Sequence, residues 1–121
     1  KTGSITAEMV KYFTNTFLAT KVSFANEMYQ ICGRLGIDYD KVVEYSTYDE
    51  RLGKSHWAVP GPDGKFGFGG SCFPKDINAL IQLGLELDMT PEVLMAAWET
   101  NLEVRPEEDW KELKGRAVVD E

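Results

Sequence analysis

The sequence predicts an all-α fold in which one long central helix is joined by several shorter helices and one long glycine-rich loop. Three observations support this prediction. Residues 7–35 contain one glycine and no proline, and their apolar side chains recur with the period of an amphipathic helix. Signals for the start of a helix follow at Asp38, Pro74 and Thr90. Residues 46–71 are rich in glycine and proline, which is typical of a loop.

The first helix is predicted over residues 7–35. Ser4 or Thr6 can cap its start, and Glu8 lies in the first turn, where a carboxylate interacts well with the helix dipole. At about 1.5 Å per residue this helix exceeds about 40 Å, and Gly36 is expected to end it. Its apolar stripe is broad for so small a domain. We therefore expect the helix to be shared between two packed domains or subunits.

The shorter helices have clear boundaries. A short helix begins at Asp38 or Asp40. Pro74 is expected as the first residue of the next helix. The last helix is expected to start at Thr90-Pro91 and to run to about Val104, before Arg105-Pro106 stops it. A connection as long as the one before Pro74 is uncommon in a compact domain and is usually functional.

The domain is expected to span residues 1–104, and residues 105–121 are expected to form a linker or a C-terminal tail. The chain begins at Lys1 and not at an initiator methionine. We therefore expect it to be one piece of a longer protein.

Composition excludes several classes of function. The 121 residues carry a net charge of −7 and are 43% hydrophobic, which indicates a globular protein and argues against non-specific nucleic-acid binding. No apolar run approaches the roughly 18 residues of a membrane span and no signal peptide precedes Lys1, so we expect a cytoplasmic protein. Two cysteines and one histidine do not match a disulfide scaffold or a zinc site, and we predict no metal.

One segment, residues 66–76, combines glycines, a thiol, a lysine and a carboxylate. Cys72 lies just before a predicted helix start, where unpaired amides and the positive end of the dipole stabilise a thiolate. Lys75 adds a cation, and Asp76 lies about one helical turn from Cys72, where it could activate a water molecule. The alternative is a small buried cysteine in a tight turn. The residues alone leave both interpretations open.

A second pair of polar residues lies on the long helix. Lys11 and Asn15 are four residues apart and therefore share one face. A cation and an amide donor on one face can stabilise an oxyanion. The alternative is a solvated lysine beside an incidental asparagine.

Two regions resemble the central domain of the UDP-glucose/GDP-mannose dehydrogenase family. The decapeptide Gly-Phe-Gly-Gly-Ser-Cys-Phe-Pro-Lys-Asp at residues 67–76 resembles the catalytic-cysteine motif of that family, and it is highly specific. The other region lies on the long helix, at residues 7–15 and 21–27. The resemblance covers roughly residues 4–104. Within the family, the segments most similar to members that oxidise UDP-glucose are residues 49–53 and 60–65.

The resemblance implies a dimer-forming central domain whose homodimer contact is the long helix. Members of the family carry an N-terminal Rossmann domain for NAD and usually a C-terminal domain for the nucleotide, and neither fits within this chain. NAD is therefore expected to be bound mainly outside it. A UDP-sugar is the expected substrate, and no nucleic acid or membrane partner is implied.

The resemblance also implies a four-electron oxidation of the sugar C6 alcohol to a carboxylate with two NAD⁺. The residue matched by Cys72 attacks the C6 aldehyde to give a thiohemiacetal, which is oxidised to a thioester that water hydrolyses. Lys11 and Asn15 match the pair that stabilises the oxyanion and orients water. Asp76 matches the acid–base residue beside them.

Further roles follow from the same resemblance. Lys75 matches a residue near the cofactor, and Arg51 matches a residue that reaches the substrate across the dimer interface. The sugar site is expected to be lined by Phe66, Gly67, Phe68, Gly69 and Gly70. Two alternatives stay open, a catalytically idle helical dimerisation module and a GDP-mannose 6-dehydrogenase.

Overall fold

The computed structural model describes residues 2–113, and these residues form helices and loops without a β-strand. The four α-helices are α1 (Thr2–Leu35), α2 (Tyr39–Ser46), α3 (Cys72–Glu86) and α4 (Glu92–Val104). Short 3₁₀ turns lie at Glu50–Leu52 and Asp109–Leu113. The predicted all-α fold is confirmed. Over the same residues no helix is long and apolar enough to cross a membrane.

The predicted starts of two helices are wrong by a few residues. The helix α1 is already formed at Thr2, so Ser4 and Thr6 lie within it and neither is at its N-cap position. The helix α3 begins at Cys72, two residues before Pro74. A proline is accepted there because the first amides of a helix have no carbonyl partner within it, so a residue without an N–H loses nothing.

Two expected boundaries are confirmed. The side chain of Asp38 accepts a hydrogen bond from the backbone N–H of Asp40 and caps α2. Arg105 follows α4 as its C-terminal cap residue, where the sequence predicted the helix to stop. The helix α4 begins at Glu92, one residue later than predicted, so Pro91 is its N-cap residue and not its first helical residue.

The helix α1 lies at the centre of the fold and packs against α2, α3 and α4. Small residues on α1 permit this close approach: Ala19 is buried with Ile77 of α3 and Ala97 of α4. The buried hydroxyl of Ser23 donates a 2.7 Å hydrogen bond to the carbonyl of Ala97. A second apolar cluster joins α1 to α2 and to the following loop through Ala25, Cys32, Tyr39 and Val59.

The loop after α2 is held to α1 by Lys21. Its ammonium donates to the carbonyl of Leu52 at 2.9 Å and lies 4.6 Å from the centre of the Trp57 ring. The indole of Trp57 donates to the carbonyl of Gly53, and the phenol of Tyr39 donates to the carbonyl of Trp57. Burial lowers the pKa of Lys21. For Tyr39, burial and then the charge of Asp40 raise the pKa to about 12.

One side of the N-terminal half of α1 is apolar and exposed. Four residues spaced one turn apart form it, and Phe13 has 71% of its surface accessible. We name this stripe the α1 apolar face, and it consists of Ile5, Met9, Phe13 and Phe17. Nothing else in residues 2–113 covers it.

Candidate active site

The thiol of Cys72 lies at the first residue of α3 and is exposed to solvent. Ser71 precedes the helix, and its hydroxyl oxygen is 4.0 Å from the sulfur. The amides of the first helical turn have no partner within the helix, so they point toward this end. The structure therefore rejects the alternative of a buried structural cysteine for Cys72, whereas Cys32 fits it.

The carboxylate of Asp76 lies one turn into α3, on the face that Cys72 shares. It is only 1% exposed. One oxygen, Oδ2, accepts a 2.7 Å hydrogen bond from the Asn15 amide of α1. The other, Oδ1, is buried with no partner in the part of the chain that the structure describes. A buried acceptor without a partner is costly, so a hydrogen-bond donor such as water or a small polar ligand would be stabilised at this atom.

The two predicted lysines lie close in sequence to Asn15 and Asp76. Lys11 lies one turn before Asn15 on α1 and is exposed, and Lys75 is exposed on α3. Neither forms an ion pair with any residue among 2–113. The structure thus joins Asn15 directly to Asp76 and leaves both ammonium groups available.

The predicted sugar loop, residues 66–70, is anchored by its middle residue. The ring of Phe68 is buried in the core beside Phe73 and Trp98, with ring centres about 6 Å apart. Phe66 is exposed at 44% and its ring centre is 5.7 Å from that of Tyr29. Among the five loop residues, Phe68 therefore has its side chain buried in the hydrophobic core.

Two buried asparagines fix the backbone of this loop. The amide oxygen of Asn26 on α1 accepts from the backbone N–H of Gly67 at 3.1 Å. Asn101 on α4 is fully buried, and its amide accepts from the N–H of Phe68 at 2.7 Å and donates to the carbonyl of Phe68 at 3.0 Å. Sequence reasoning missed both. An asparagine one turn from Ala97 on an apolar helix face was the available signal, because a buried amide needs partners.

The guanidinium of Arg105 reaches the same loop from the end of α4. It donates to the carbonyls of Phe66 and Gly67 at 3.2 and 3.4 Å and forms ion pairs with Asp63 at 2.7 Å and Asp109 at 2.8 Å. Its hydrogen bonds lower the pKa of Asp109. Burial raises the pKa of Asp63, but the hydrogen bond and charge of Arg105 outweigh burial and hold that pKa below its usual range.

Two glycines make this close packing possible. A Cβ on Gly67, whose φ is +69°, would collide with the amide oxygen of Asn101. A Cβ on Gly69 would lie 2.6 Å from a guanidinium nitrogen of Arg105. The glycines that were predicted to let a ligand approach the backbone therefore also let the side chains of Asn101 and Arg105 pack against it.

A cavity of about 380 Å³ opens beside the loop. Gly67, Gly69 and Phe73 line it together with Ser55 and His56 of the preceding loop. His56 has a φ of +68°, a strained conformation for a residue other than glycine. The thiol of Cys72 is not part of the lining. The residue is exposed to solvent.

Arg51, the remaining predicted site residue, lies on the exposed turn after α2. Its guanidinium holds Asp49 at 2.6 Å, and this hydrogen bond lowers the pKa of Asp49. Within residues 2–113 it contacts none of the other predicted site residues. A role at the substrate of the same chain therefore has no support in its geometry.

Comparison with known proteins decides the family. The sequence model of the UDP-glucose/GDP-mannose dehydrogenase family, central domain, matches residues 5–103. The chain belongs to this family.

Relatives within the family agree with the match. The chain is 43% identical over 101 residues to UDP-glucose 6-dehydrogenase TuaD of Bacillus subtilis, covering 84% of this chain and 21% of that protein. It is 41% identical over 101 residues to UDP-glucose 6-dehydrogenase AglM of Haloferax volcanii, covering 84% and 22%. A solved structure of a UDP-glucose dehydrogenase from the hyperthermophilic archaeon Pyrobaculum islandicum matches with a TM-score of 0.73 and 41% identity, covering 80% and 21%. The chain spans about a fifth of the length of these relatives.

The residues present do not fit NAD by themselves. A dinucleotide fold needs a strand followed by a glycine turn and a helix, and residues 2–113 contain no strand. The space beside the backbone of Gly67 is filled by Asn101, and the space beside Gly69 is filled by Arg105. In the same residues no three potential metal ligands come together.

Proposed function

We propose that this chain is the central domain of an NAD-dependent UDP-glucose 6-dehydrogenase in which Cys72 binds C6 of the sugar covalently. One observation carries the proposal. A buried carboxylate, Asp76, is fixed on one oxygen by Asn15 and free on the other, one helical turn from an exposed thiol. That arrangement suits a covalent intermediate that water must release.

The thiolate of Cys72 is the proposed nucleophile. Its sulfur forms a bond to the carbonyl carbon of the C6 aldehyde, and the carbonyl π electrons move to oxygen, which then takes a proton to give the thiohemiacetal. The exposed sulfur at the start of α3 supports this role, because a carbonyl carbon can reach it and the amides of the first helical turn point toward this end of the helix. Oxidation of this adduct gives the thioester, and its hydride acceptor is bound outside residues 2–113.

Hydrolysis of the thioester is the proposed task of Asp76. Its Oδ1 accepts a proton from water, the water oxygen attacks the thioester carbon, and the C–S bond breaks to return the thiolate. The hydrogen bond from Asn15 leaves only Oδ1 for the water. Lys11, one turn before Asn15, is proposed to stabilise the oxyanion of each tetrahedral adduct.

The other site residues keep proposed roles outside the covalent chemistry. Loop residues 66–70 offer backbone to the sugar, and Lys75 lies near the cofactor. Arg51 serves the partner's site, which its exposed position favours. The cytoplasm is the proposed location, because both Cys32 and Cys72 are free thiols, as expected in a reducing compartment.

The test of this function uses the full-length protein that contains this chain. With UDP-glucose and NAD⁺ we expect two NADH per sugar, and we expect none from the 121-residue chain alone. GDP-mannose is the matched control substrate. Faster oxidation of GDP-mannose would identify the alternative dehydrogenase, and a folded protein that oxidises neither would identify the idle dimerisation module.

The chain is predicted to form a homodimer through the α1 apolar face. Phe13 and Phe17 are largely exposed, and complete burial of each in a contact between subunits would contribute about 1.5–3 kcal/mol. We expect sedimentation velocity to give a dimer at micromolar concentration and Phe13→Asp to give a monomer.

The matched control for the dimer is Leu87→Asp. Leu87 is similarly exposed, at 66%, but it lies in the connection between α3 and α4. This variant should remain a dimer. A compact wild-type monomer at micromolar concentration, or equal dissociation by both variants, would show that α1 is not the contact.

A further inference from the structure

We propose that Arg105 is a positioning residue for the thiol. It fixes the backbone of residues 66–69 and thereby sets the orientation and reactivity of Cys72 at the start of α3. The inference deepens the proposed function, since it takes Cys72 as the reactive group. Arg105 lies directly after α4, where the sequence predicts only the end of that helix and the start of a linker or tail.

The donors of Arg105 are fully used. A guanidinium has five N–H groups. Nε and Nη2 donate to both oxygens of Asp109, the second N–H of Nη2 donates to Asp63, and Nη1 donates to the carbonyls of Phe66 and Gly67. Each N–H therefore has an acceptor, and three of the five acceptors belong to the loop before Cys72.

The burial of this charge shows how firmly it is held. Arg105 is 1% exposed, and a buried cation is stable only when its geometry and its partners are complete. Asp63 and Asp109 supply the compensating negative charge. Both carboxylates are partly exposed, and both stay ionised beside the guanidinium. Displacement of the loop would therefore leave three of the five N–H groups of Arg105 and both loop carbonyls without partners.

A short and restrained path leads from this contact to the sulfur. Gly69 lies against the guanidinium, Gly70 turns the chain with a φ of +75°, and Ser71 then precedes the helix. On the far side of Cys72, the ring of Phe73 packs on that of Phe68 with centres 6.1 Å apart. Cys72 thus lies between two anchored points, and a shift of residues 66–69 has to move it.

The test measures alkylation of the two thiols by iodoacetamide, followed by peptide mass spectrometry, in wild type and Arg105→Lys. Lysine keeps the charge but lacks the planar fork, so it cannot hold both carboxylates and both carbonyls. Cys72 is already exposed, so added access gains little, while loss of alignment with the α3 amides should slow its reaction about three- to five-fold. Cys32, 4% exposed, should stay protected and so report an intact fold.

Two further variants complete the experiment. Lys111→Gln breaks an exposed ion pair to Glu108 in the same segment and should leave the Cys72 rate unchanged. Asp63→Asn removes the charge of one loop carboxylate and leaves one oxygen to accept from both Arg105 and the backbone N–H of Lys65. It should slow Cys72 less than Arg105→Lys does, which keeps the test valid if that variant unfolds.

Two results would overturn the inference. The Cys72 rate could stay unchanged in Arg105→Lys and Asp63→Asn while Cys32 is protected. Alternatively, Cys32 could become reactive in both variants, which would make Arg105 a residue of global stability only. The assay contains no sugar or cofactor, so its outcome is separate from whether the full-length protein oxidises UDP-glucose.

Discussion

Replacement of Cys72 by serine in the full-length protein is expected to slow the second oxidation about 10³-fold or more while the first oxidation continues. The first hydride leaves an alcohol carbon and needs no bond to the protein. The second requires a tetrahedral adduct, and a serine hydroxyl is a far weaker nucleophile than a thiolate at a helix start. Single-turnover measurements should give about one NADH per sugar and no covalent adduct by intact mass.

The matched control for this variant is Cys32→Ser. Cys32 is the other free thiol, buried against Tyr39 between α1 and α2, away from α3. It should keep two NADH per sugar even if the protein loses some stability. Two NADH per sugar from Cys72→Ser at near the wild-type rate would mean that the thiol is structural and that the covalent mechanism is wrong.

Asp76→Asn is expected to slow the hydrolytic step by about 10²–10⁴-fold, the usual contribution of a general base. The substitution keeps the size of the side chain, and its one oxygen can still accept the hydrogen bond from Asn15. An amide NH2 then replaces Oδ1 and cannot remove a proton from water. The thioester on Cys72 should then accumulate. Intact mass during turnover is expected to show the protein plus the oxidised sugar nucleotide.

Glu86→Gln is the control for a lost carboxylate on α3. Glu86 is exposed in the last turn of the helix, and its carboxylate accepts a hydrogen bond from Gln82. It should release product at the wild-type rate. Equal slowing of both oxidations by Asp76→Asn, with no adduct on Cys72, would remove Asp76 from the water step.

Sequence spacing was sufficient for the parts of the site that lie on one helix. The separation of Cys72 and Asp76, and that of Lys11 and Asn15, each places two side chains on one face, as the structure has them. The contact between Asn15 and Asp76 crosses 61 residues of chain, and periodicity carries no information about it. The family resemblance supplied that pairing as an expectation.

The contacts that fix the backbone of the loop could not be predicted from the sequence for a different reason. Asn26, Asn101 and Arg105 act on backbone amides and carbonyls, which every residue has, so no motif marks their targets. From its position before a proline, Arg105 was predicted only to end α4. In the structure, Arg105 and Trp110 are both buried and belong to the packed region next to the loop.

The Arg105 contacts also have a consequence for the order of events during synthesis. They join it to Phe66, Gly67 and Asp63 across 39, 38 and 42 residues, so the loop is shaped only when α4 and the residue after it have left the ribosome. Contacts between such distant residues form late because the chain entropy of closing the interval is lost first. A nascent chain that already exposes Cys72 therefore still lacks the folded loop before it. The sulfur acquires its working environment about thirty residues later, when Arg105 closes the interval.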